Sequence, residues 1–309
     1  MDVSILLPTR KNIHILQRSL ENFRQINSSD IEWEIIVIDN IGDMETREIV
    51  EKYSDQLPLK YILEEKKGKN NALNAGLDKA SGELLAFVDD DILVSNNWLQ
   101  EIWKGQQRWR SNDIFGGRIL PLFPDNKLPD LDMDDPFVKG AFAIADWDIK
   151  EGEYEPDMVW GGNMAVRARI FRQGNIFNAH IGPCGTNYIM GSETEFTRRM
   201  FRQGHIPVFL PGVQVLHIIR EEQLEPDWLF KRSFRTGRGS AIRTGKPRVK
   251  QFLNIPRFMF MNLAKLYAMY FLALLSGSKR KRVENGMKLW REIGMMYQYR
   301  KGLDSVVEK

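Results

Sequence analysis

The sequence predicts an α/β fold: a mostly parallel central sheet flanked by helices, followed by a basic, helical C-terminal extension. Over roughly the first hundred residues, apolar strand-like runs alternate with amphipathic helical stretches, as in βαβ units with right-handed crossovers. One run, Leu84–Asp91, is continuous and closes in three carboxylates, which is typical of a strand buried on both faces. Residues 220–309 carry 20 Lys+Arg against 8 Asp+Glu, whereas the remainder carries 24 against 33. The chain therefore pairs an acidic body with a basic tail that favours anionic surfaces.

The first βαβ unit begins with Val3–Leu7, a short apolar strand that ends in the loop PTRKN before a helix over about Ile13–Arg24. This loop lacks the G-x-G-x-x-G pattern of dinucleotide-binding proteins, which argues against an NAD or FAD enzyme. Glu34–Ile38 is the second strand and ends at Asp39-Asn40. Asp39 at that end can accept from a ribose hydroxyl or a base ring N–H, or it can simply form a turn.

The next elements are an acidic amphipathic helix, Asp43–Tyr53, and a third strand, Leu59–Leu63. The stretch KKGKNNALNAGLDKASGE follows, with backbone freedom at Gly68 and a helix over about Asn70–Ala80. Its lysines either meet a diphosphate or form an ordinary solvated run: Lys66, Lys67 and Lys69.

The fourth strand, Leu84–Asp91, delivers three adjacent aspartates to the carboxyl edge of the sheet, where ligands bind in open α/β folds. Adjacent carboxylates repel, so this arrangement calls for a cation, and hard oxygen ligands suit Mg²⁺ or Mn²⁺ shared with phosphates. The alternative is a helix N-cap before NNWLQEIW, since Asp and Asn both favour that position.

Length and composition set further limits. A chain of 309 residues, 43% hydrophobic and 28% charged, is globular and forms one large domain or two smaller ones. Its one cysteine, Cys184, excludes an internal disulfide and fits a reducing compartment. The N-terminus, MDVSILLPTR, does not resemble a signal peptide, so the catalytic part is expected in the cytosol.

Taken in order, the motifs PTRKN, IDN, KGKNNALNAG, FVDDD, GGRI, WGGNMAVRARIF, GSETEFTRRM, VLHI and WLFKRSFRTGRGSA strongly resemble those of family-2 glycosyltransferases. The resemblance covers about residues 1–241 and implies the GT-A fold, a Rossmann-like sheet. It implies a catalytic domain at 1–241, with a nucleotide-binding half at about 1–115 and an acceptor-binding half at about 116–241. Residues 242–309 are then a basic, partly apolar helical tail that associates with a membrane.

The implied activity is inverting, metal-dependent transfer of a sugar from a nucleotide-sugar, with a UDP-sugar favoured. The acceptor is a hydroxyl of a glycan or lipid-linked molecule, in cell-surface polysaccharide biosynthesis. Two alternatives remain open: a non-catalytic nucleotide- or carbohydrate-binding relative, and, more weakly, a nucleotidyltransferase. Nucleic acid is not an expected partner.

The resemblance assigns the donor site residue by residue. Nucleotide contacts are expected from nine residues: Pro8, Thr9, Arg10, Asn12, Asp39, Lys69, Asn74, Asp89 and Asp90. The cation, Mn²⁺ or Mg²⁺, is expected on Asp91, with Asp89 and His217 completing its site.

The general base is expected in GSETEF, where the family usually has an aspartate in a G-E-D-x-E-like motif. Here Glu193 occupies that place and Glu195 lies two residues further on. We prefer Glu193 and expect partial burial to raise its pKa. Either carboxylate can instead stabilise a helix N-terminus.

The acceptor side is expected at Trp160, Gly161, Gly162 and Asn163, where paired glycines admit a close approach and the indole offers a platform for a sugar ring. The alternative for Trp160 is a buried aromatic beside a strand. On a helix further along, three arginines spaced three apart are expected to meet diphosphate or phospholipid: Arg232, Arg235 and Arg238.

The tail contains Phe258–Leu275, 18 almost wholly apolar residues that include Asn262 and Lys265. This length is at the lower limit for a membrane-spanning helix. Basic residues precede and follow it, so we expect an in-plane helix on the inner face of the cell membrane. The alternatives are a spanning helix and a helix packed on the catalytic body.

Overall fold

The predicted alternation of strands and helices is present in a computed structural model that describes residues 1–183, 188–245 and 247–303. Cys184 lies outside the described residues. The described strands are β1 Val3–Thr9, β2 Trp33–Asp39, β3 Leu59–Leu63, β4 Leu84–Phe87, β5 Ile92–Val94, β6 Ile114–Leu122, β7 Gly152–Glu153, β8 Met164–Arg167, β9 Val208–Ile218, β10 Gln251–Phe252 and β11 Ile255–Pro256. The described α-helices are α1 Ile13–Phe23, α2 Met44–Tyr53, α3 Lys69–Leu77, α4 Trp98–Arg108, α5 Pro136–Ala141, α6 Ala168–Arg172, α7 Ser192–Arg202, α8 Pro226–Thr244, α9 Arg257–Leu275 and α10 Lys279–Lys301.

Within these residues the main sheet has nine strands, ordered β3-β2-β1-β4-β8-β6-β9-β5, with β7 also paired to β9. Strands β1 to β4 run parallel to one another, and β6 and β9 share their direction because β8 is antiparallel to both β4 and β6. The predicted fold class, a mostly parallel central sheet flanked by helices, is confirmed. The fourth strand ends at Phe87, so the three aspartates lie in the turn after it.

The chain divides into two compact units. Unit 1 comprises residues 1–122, 143–179 and 192–218, and unit 2 comprises the described parts of 123–142, 180–191 and 219–309. The expected boundary between residues 241 and 242 falls inside α8, a helix that belongs wholly to unit 2. The resemblance to the family ends near residue 241, but the helix continues without a break to Thr244.

Unit 1 buries both faces of its sheet, as the uninterrupted apolar strands predict. On β1, Ile5 and Leu7 pack into one hydrophobic cluster with α1, α2 and α4, whereas Leu6 packs into a second cluster with α3 and α7. All seven residues of β1 are buried. The central strands are therefore rigid supports for the loops at their carboxyl ends.

Unit 2 is built on α8, which packs closely against α10. A side chain at Gly237 or at Gly294 would overlap the backbone of the facing helix, so these glycines set the short separation of the two helices. Helix α9 has 19 residues and is long and apolar enough to cross a membrane by length and composition, the one such helix among the described residues. Of its apolar 18-residue window, 11% is buried within the described structure.

A buried carboxylate, Glu34, joins three segments at the start of the sheet, and its lysine partner is half-exposed. The carboxylate of Glu34 accepts hydrogen bonds from Ser4 Oγ at 2.5 Å and from the Ser81 backbone N–H at 2.9 Å, and the Lys60 ammonium lies 2.5 Å from its other oxygen. Burial acts to raise the pKa of Glu34, but the bonds from Lys60, Ser4 and Ser81 outweigh it and the pKa is lowered. Glu34 is thus held ionised in the folded chain.

Glu34→Gln should therefore lower the free energy of unfolding at pH 7 by about 1–3 kcal/mol, the scale for a buried hydrogen-bonded charge. Because the folded-state pKa is depressed, this stabilisation is present above the ordinary pKa of 4.5 and disappears as the pH falls through the folded value. Urea denaturation of the two proteins between pH 3 and pH 7 checks it, with exposed Glu48→Gln as the control. An equal difference at every pH would contradict the role of the charge.

Candidate active site

The carboxyl ends of β1, β2 and β4 bring three predicted motifs together in unit 1. Thr9 lies directly opposite Asp39 in the parallel register of β1 and β2, and β4 is the other neighbour of β1. The loop PTRKN and the three aspartates therefore meet at one edge. Pro8 and Thr9 are buried there, Asn12 is half-buried and Arg10 is exposed.

Asp90 joins two of these motifs. Its Oδ2 accepts from Thr9 Oγ1 at 2.7 Å and from Asn12 Nδ2 at 3.2 Å. Burial, reinforced by the neighbouring Asp91 carboxylate, raises the pKa of Asp90 to about 7 despite these bonds. Asp90 therefore holds the PTRKN loop to the turn after β4.

Lys69, the first residue of α3, connects two other acidic residues. Its ammonium lies 2.5 Å from Asp89 Oδ1 and 2.7 Å from Glu193 Oε1, and its side chain is 18% exposed. Burial acts against its charge, but Asp89 and Glu193 together raise the pKa of Lys69. The ammonium is thus firmly charged between two carboxylates that are distant in the sequence.

Glu193 lies in the first turn of α7, with its side chain against the backbone of Gly161. Burial favours its neutral form, but Lys69 outweighs burial and lowers the pKa of Glu193. The expectation that burial raises this pKa is wrong, because the sequence could not reveal the ammonium beside it. Glu195 instead accepts from Arg199 Nε at 3.0 Å, one helical turn further on.

Asp91 and His217 form the part of the site that fits a metal. His217 lies in β9 opposite Ile92, and its Nε2 is 3.4 Å from Asp91 Oδ2. In the part of the chain that the structure describes, no cluster of three or more His, Cys, Asp or Glu residues could hold a metal. A carboxylate and an imidazole at this separation suit Mn²⁺ or Mg²⁺ whose remaining positions are filled by phosphate oxygens and water.

Two residues expected to contact the nucleotide form hydrogen bonds with other parts of the protein. Asp39 is fully buried, and its two oxygens accept from three backbone N–H groups of the following turn and from the Tyr61 hydroxyl at 2.9 Å. Burial, together with this bond to Asp39, raises the pKa of Tyr61 to about 12. Asn74 uses both ends of its amide on the backbone of Phe177. Both side chains are thus hydrogen-bonded within the protein, and their contacts with a nucleotide stay predictions.

The residues expected on the acceptor side differ in their burial. Asn163 is fully buried; it accepts from Trp98 Nε1 at 2.9 Å and donates to two backbone carbonyls, so its amide joins parts of the core of unit 1. Trp160 is half-buried, and its ring packs edge-on against Trp147 at 5.8 Å between centroids. Gly161 is buried beneath Glu193, and Gly162 is half-buried beside Ile92.

A pair of polar residues, Asn70 and Ser192, supports this site, although the sequence did not indicate a role for either. Ser192 Oγ donates to Asn70 Oδ1 at 2.9 Å, and Asn70 Nδ2 donates to the Asn178 carbonyl at 2.7 Å. Both side chains are adjacent in the chain to Glu193 and Lys69. The paired asparagines of KGKNNALN and the serine of GSETEF were the available signals.

In unit 2, the three arginines of α8 do not share one environment. Arg232 donates to the Tyr188 hydroxyl at 3.2 Å, and the Arg235 guanidinium lies 4.6 Å from the centre of the Tyr188 ring. Arg238 is buried, donates to Gln298 Oε1 at 3.0 Å and packs over Tyr297. A spacing of three residues turns each arginine about 60° from the last, so Arg238 faces α10.

Comparisons with known proteins agree with this architecture. The family described as "Glycosyl transferase family 2" matches residues 4–129. Glycosyltransferase AglE of Haloferax volcanii is 24% identical over 242 residues, covering 77% of this chain and 72% of that protein. A Campylobacter jejuni protein named GalNAc(5)-diNAcBac-PP-undecaprenol beta-1,3-glucosyltransferase is 34% identical over 92 residues, which are 29% of each chain.

A solved structure is similar over nearly the whole chain. The mannosyltransferase PcManGT from Pyrobaculum calidifontis, in complex with GDP-Man and Mn²⁺, superimposes with a TM-score of 0.64 at 16% identity, covering 96% of this chain and 86% of that one. At this identity the likeness establishes the fold, which is that of the GT-A glycosyltransferases.

The contact of Glu193 with Gly161 gives a test of the site geometry. A Cβ at Gly161 would overlap the Glu193 side chain, whereas a Cβ at Gly162 would lie 3.4 Å from Ile92 and 3.6 Å from Ile119, ordinary contacts. Gly161→Ala should therefore displace Glu193 and lower the free energy of unfolding by about 1–3 kcal/mol, as overpacking does.

The matched control, Gly162→Ala, should stay within about 0.5 kcal/mol of the unmodified protein. Urea denaturation and crystal structures of both variants check this. Equal stability of the two variants, with Glu193 unmoved in Gly161→Ala, would contradict the described packing.

Proposed function

We propose that this chain, a glycosyltransferase whose residues 4–129 match family 2, moves a sugar from a nucleotide-sugar donor to a hydroxyl of a glycan or lipid-linked acceptor. The proposal includes inversion at the anomeric carbon and use of a divalent cation. The observation that carries it is the joint position of Glu193, Lys69 and Asp89 at the carboxyl edge of the sheet. In this proposal, the Glu193 carboxylate accepts a proton and the Asp89 carboxylate lies on the donor side, with the Lys69 ammonium between them.

In the proposed reaction, Glu193 takes the proton of the acceptor hydroxyl. The acceptor oxygen then forms a bond to the anomeric carbon, and the bond from that carbon to the diphosphate oxygen breaks with its electron pair on the departing nucleoside diphosphate. The proposed scheme uses a single base and no covalent intermediate, so the acceptor oxygen attacks from the face opposite the leaving group. Inversion follows from that geometry.

On the donor side, the residues of the PTRKN loop border the nucleotide, with Thr9 and Asn12 positioned through Asp90. Asp91 and His217 would hold Mn²⁺ or Mg²⁺, which when bound neutralises the charge that develops on the diphosphate. A UDP-sugar remains our preferred donor. The complex of PcManGT with GDP-Man and Mn²⁺ supports a nucleotide-sugar and a cation in general.

Glu193→Gln should retain nucleotide binding and lower sugar transfer by about 10²–10⁴-fold, the scale for loss of a general base. Calorimetry with UDP, GDP and dTDP in the presence of Mn²⁺ measures binding, and release of nucleoside diphosphate from a panel of nucleotide-sugars measures turnover. The same panel identifies the donor.

Glu195→Gln is the matched control, because Glu195 lies in the same turn of α7 but pairs with Arg199, one helical turn further on. Full activity in Glu193→Gln with loss in Glu195→Gln would move the base by two residues. A protein that binds none of the three nucleotides with Mn²⁺ would contradict the transferase proposal and the nucleotide-binding alternative together.

We also propose that α9 lies in the plane of a membrane interface, on the cytoplasmic face of the cell membrane. One stripe of α9 packs inside unit 2: Met259, Leu263, Leu266, Tyr270 and Ala273. At 100° per residue, the opposite side carries exposed apolar residues: Met261, Ala264, Ala268, Phe271, Leu272 and Leu275. A helix with one face on the protein and the other apolar and exposed fits the surface of a bilayer.

The neighbouring hairpin, β10 and β11, extends this apolar surface. Phe252 and Leu253 at its turn are 56% and 59% exposed, and the Phe252 ring lies 6.0 Å from that of Phe260 in α9. Exposed basic residues flank both elements: Arg248, Lys250, Lys279, Lys281 and Arg282. Each adds roughly 1 kcal/mol on anionic lipid, which salt screens.

Replacing three outward residues of α9 with serine, Met261, Leu272 and Leu275, should reduce flotation with anionic liposomes at least 10-fold, because about 25 cal/mol is lost per Å² of apolar contact. The matched control places serine at three exposed apolar positions elsewhere, Met44, Leu128 and Ile176, and should float like the unmodified protein. Truncation of the tail is unsuitable because α10 packs on α8.

Flotation of the unmodified protein should weaken with salt without vanishing. Recovery in the lipid-free fraction at every salt concentration would contradict membrane association. If the membrane-bound protein resists extraction by carbonate, α9 spans the membrane and does not lie in its plane.

A further inference from the structure

We infer that Lys69 is a positioning residue for the reaction: it holds Glu193 and Asp89 in one arrangement, so that the state of the base depends on what occupies the donor side. This inference rests on the proposed function and deepens it. Its observation is the pair of contacts from one ammonium, 2.5 Å to Asp89 Oδ1 and 2.7 Å to Glu193 Oε1.

The two contacts join parts of the chain that are far apart in sequence. Lys69 and Glu193 are 124 residues apart, and each lies in the first turn of its helix, α3 or α7. The neighbouring Asn70–Ser192 hydrogen bond holds the same two helix ends together. The base is therefore fixed from two points, one of them charged.

The charge itself is needed because the carboxylates of Asp89 and Glu193 share this ammonium, and their side chains are only 34% and 17% exposed. Without it, two like charges would lie within a few ångströms of each other, and repulsion would turn Glu193 away or leave it neutral. Gly161 leaves room for the side chain in its present position but offers no side chain of its own to hold it. Lys69 supplies that restraint.

A nucleoside diphosphate arriving beside Asp89 competes for the same ammonium, since phosphate oxygens are strong acceptors of charged hydrogen bonds. A partial shift of the ammonium toward the diphosphate keeps Glu193 ionised but loosens its contact with Lys69, so that its carboxylate oxygen becomes available to the acceptor proton. Binding of the donor thereby prepares the base. A lysine that served only the diphosphate would have no such effect.

A double-mutant cycle on the full chain tests this, using Lys69→Met, Glu193→Gln and the double variant. For donor turnover with the best nucleotide-sugar, Lys69→Met should lower kcat by about 10–10²-fold with a smaller change in donor KM. In the Glu193→Gln background, the same substitution should change kcat by less than about 3-fold, because the partner it acts through is gone.

Charge, not shape, is the proposed requirement. Lys69→Arg should therefore recover kcat to within about 10-fold of the unmodified enzyme, and Lys69→Gln, which is polar but neutral, should not. Lys79→Met is the matched control: it makes the same change at an exposed position just past the other end of α3 and should leave turnover unchanged.

The same double-mutant cycle is also measured on stability, from the midpoints of urea denaturation of the same variants. Lys69→Met should lower the midpoint, and adding Glu193→Gln to it should raise the midpoint again, since one of two unpaired carboxylates is removed. Lys69→Gln provides the same comparison if Lys69→Met does not fold.

Additive effects on kcat, or an effect confined to donor KM, would overturn the positioning role and leave a diphosphate contact. Additive midpoints would overturn the contact itself. An unmodified protein that binds nucleotides and turns over no donor would instead overturn the proposed function, and the positioning role with it.

Discussion

Repulsion among carboxylates gathered at one edge of the sheet is the constraint on which this site depends. The turn after β4 delivers three of them, and α7 brings Glu193 beside the first. The repulsion is reduced in three ways. Asp89 and Glu193 share the Lys69 ammonium, and Asp91 faces His217. Asp90 accepts hydrogen bonds from Thr9 and Asn12, and its pKa is raised. Asp91 and His217 are therefore the pair suited to a cation. Lys69 is the residue that restrains Glu193, the proposed base.

Rigid backbone makes this division possible, because small errors in position would change which charge meets which partner. The strands beneath the site are buried on both faces, and the loops above them are fixed by buried side-chain amides and hydroxyls. Asn40, for example, accepts from the Gly68 backbone N–H at 2.7 Å, just before α3 begins, where φ is 130° and favours glycine. The direction of α3, and with it the position of Lys69, follows from that turn.

Local pattern was sufficient for the fold class and for the edge at which the site lies. Apolar runs, PTRKN and the three aspartates are contiguous signals, and parallel strands place their ends together. The partners of individual side chains were not accessible in this way. The lowered pKa of Glu193 depends on a lysine 124 residues away, and the burial of Asn163 depends on carbonyls of β6 and β9. Asp39 and Asn74 have the residue types of ligand contacts, but the protein's own donors and acceptors occupy them.

The sheet of unit 1 is assembled from three separate stretches of chain, and this has a consequence for biosynthesis. Strand β5 pairs with β9, which follows it by more than a hundred residues, and β9 also completes β6. On the ribosome, β5 and one edge of β6 therefore remain unpaired until β9 has emerged, although β1 to β4 are able to pair much earlier. Long-range pairing of this kind slows folding and leaves strand edges open to other chains. The strands that hold Asp91 and His217 together are thus the last part of this sheet to form during synthesis, and their edges stay unpaired for the longest time.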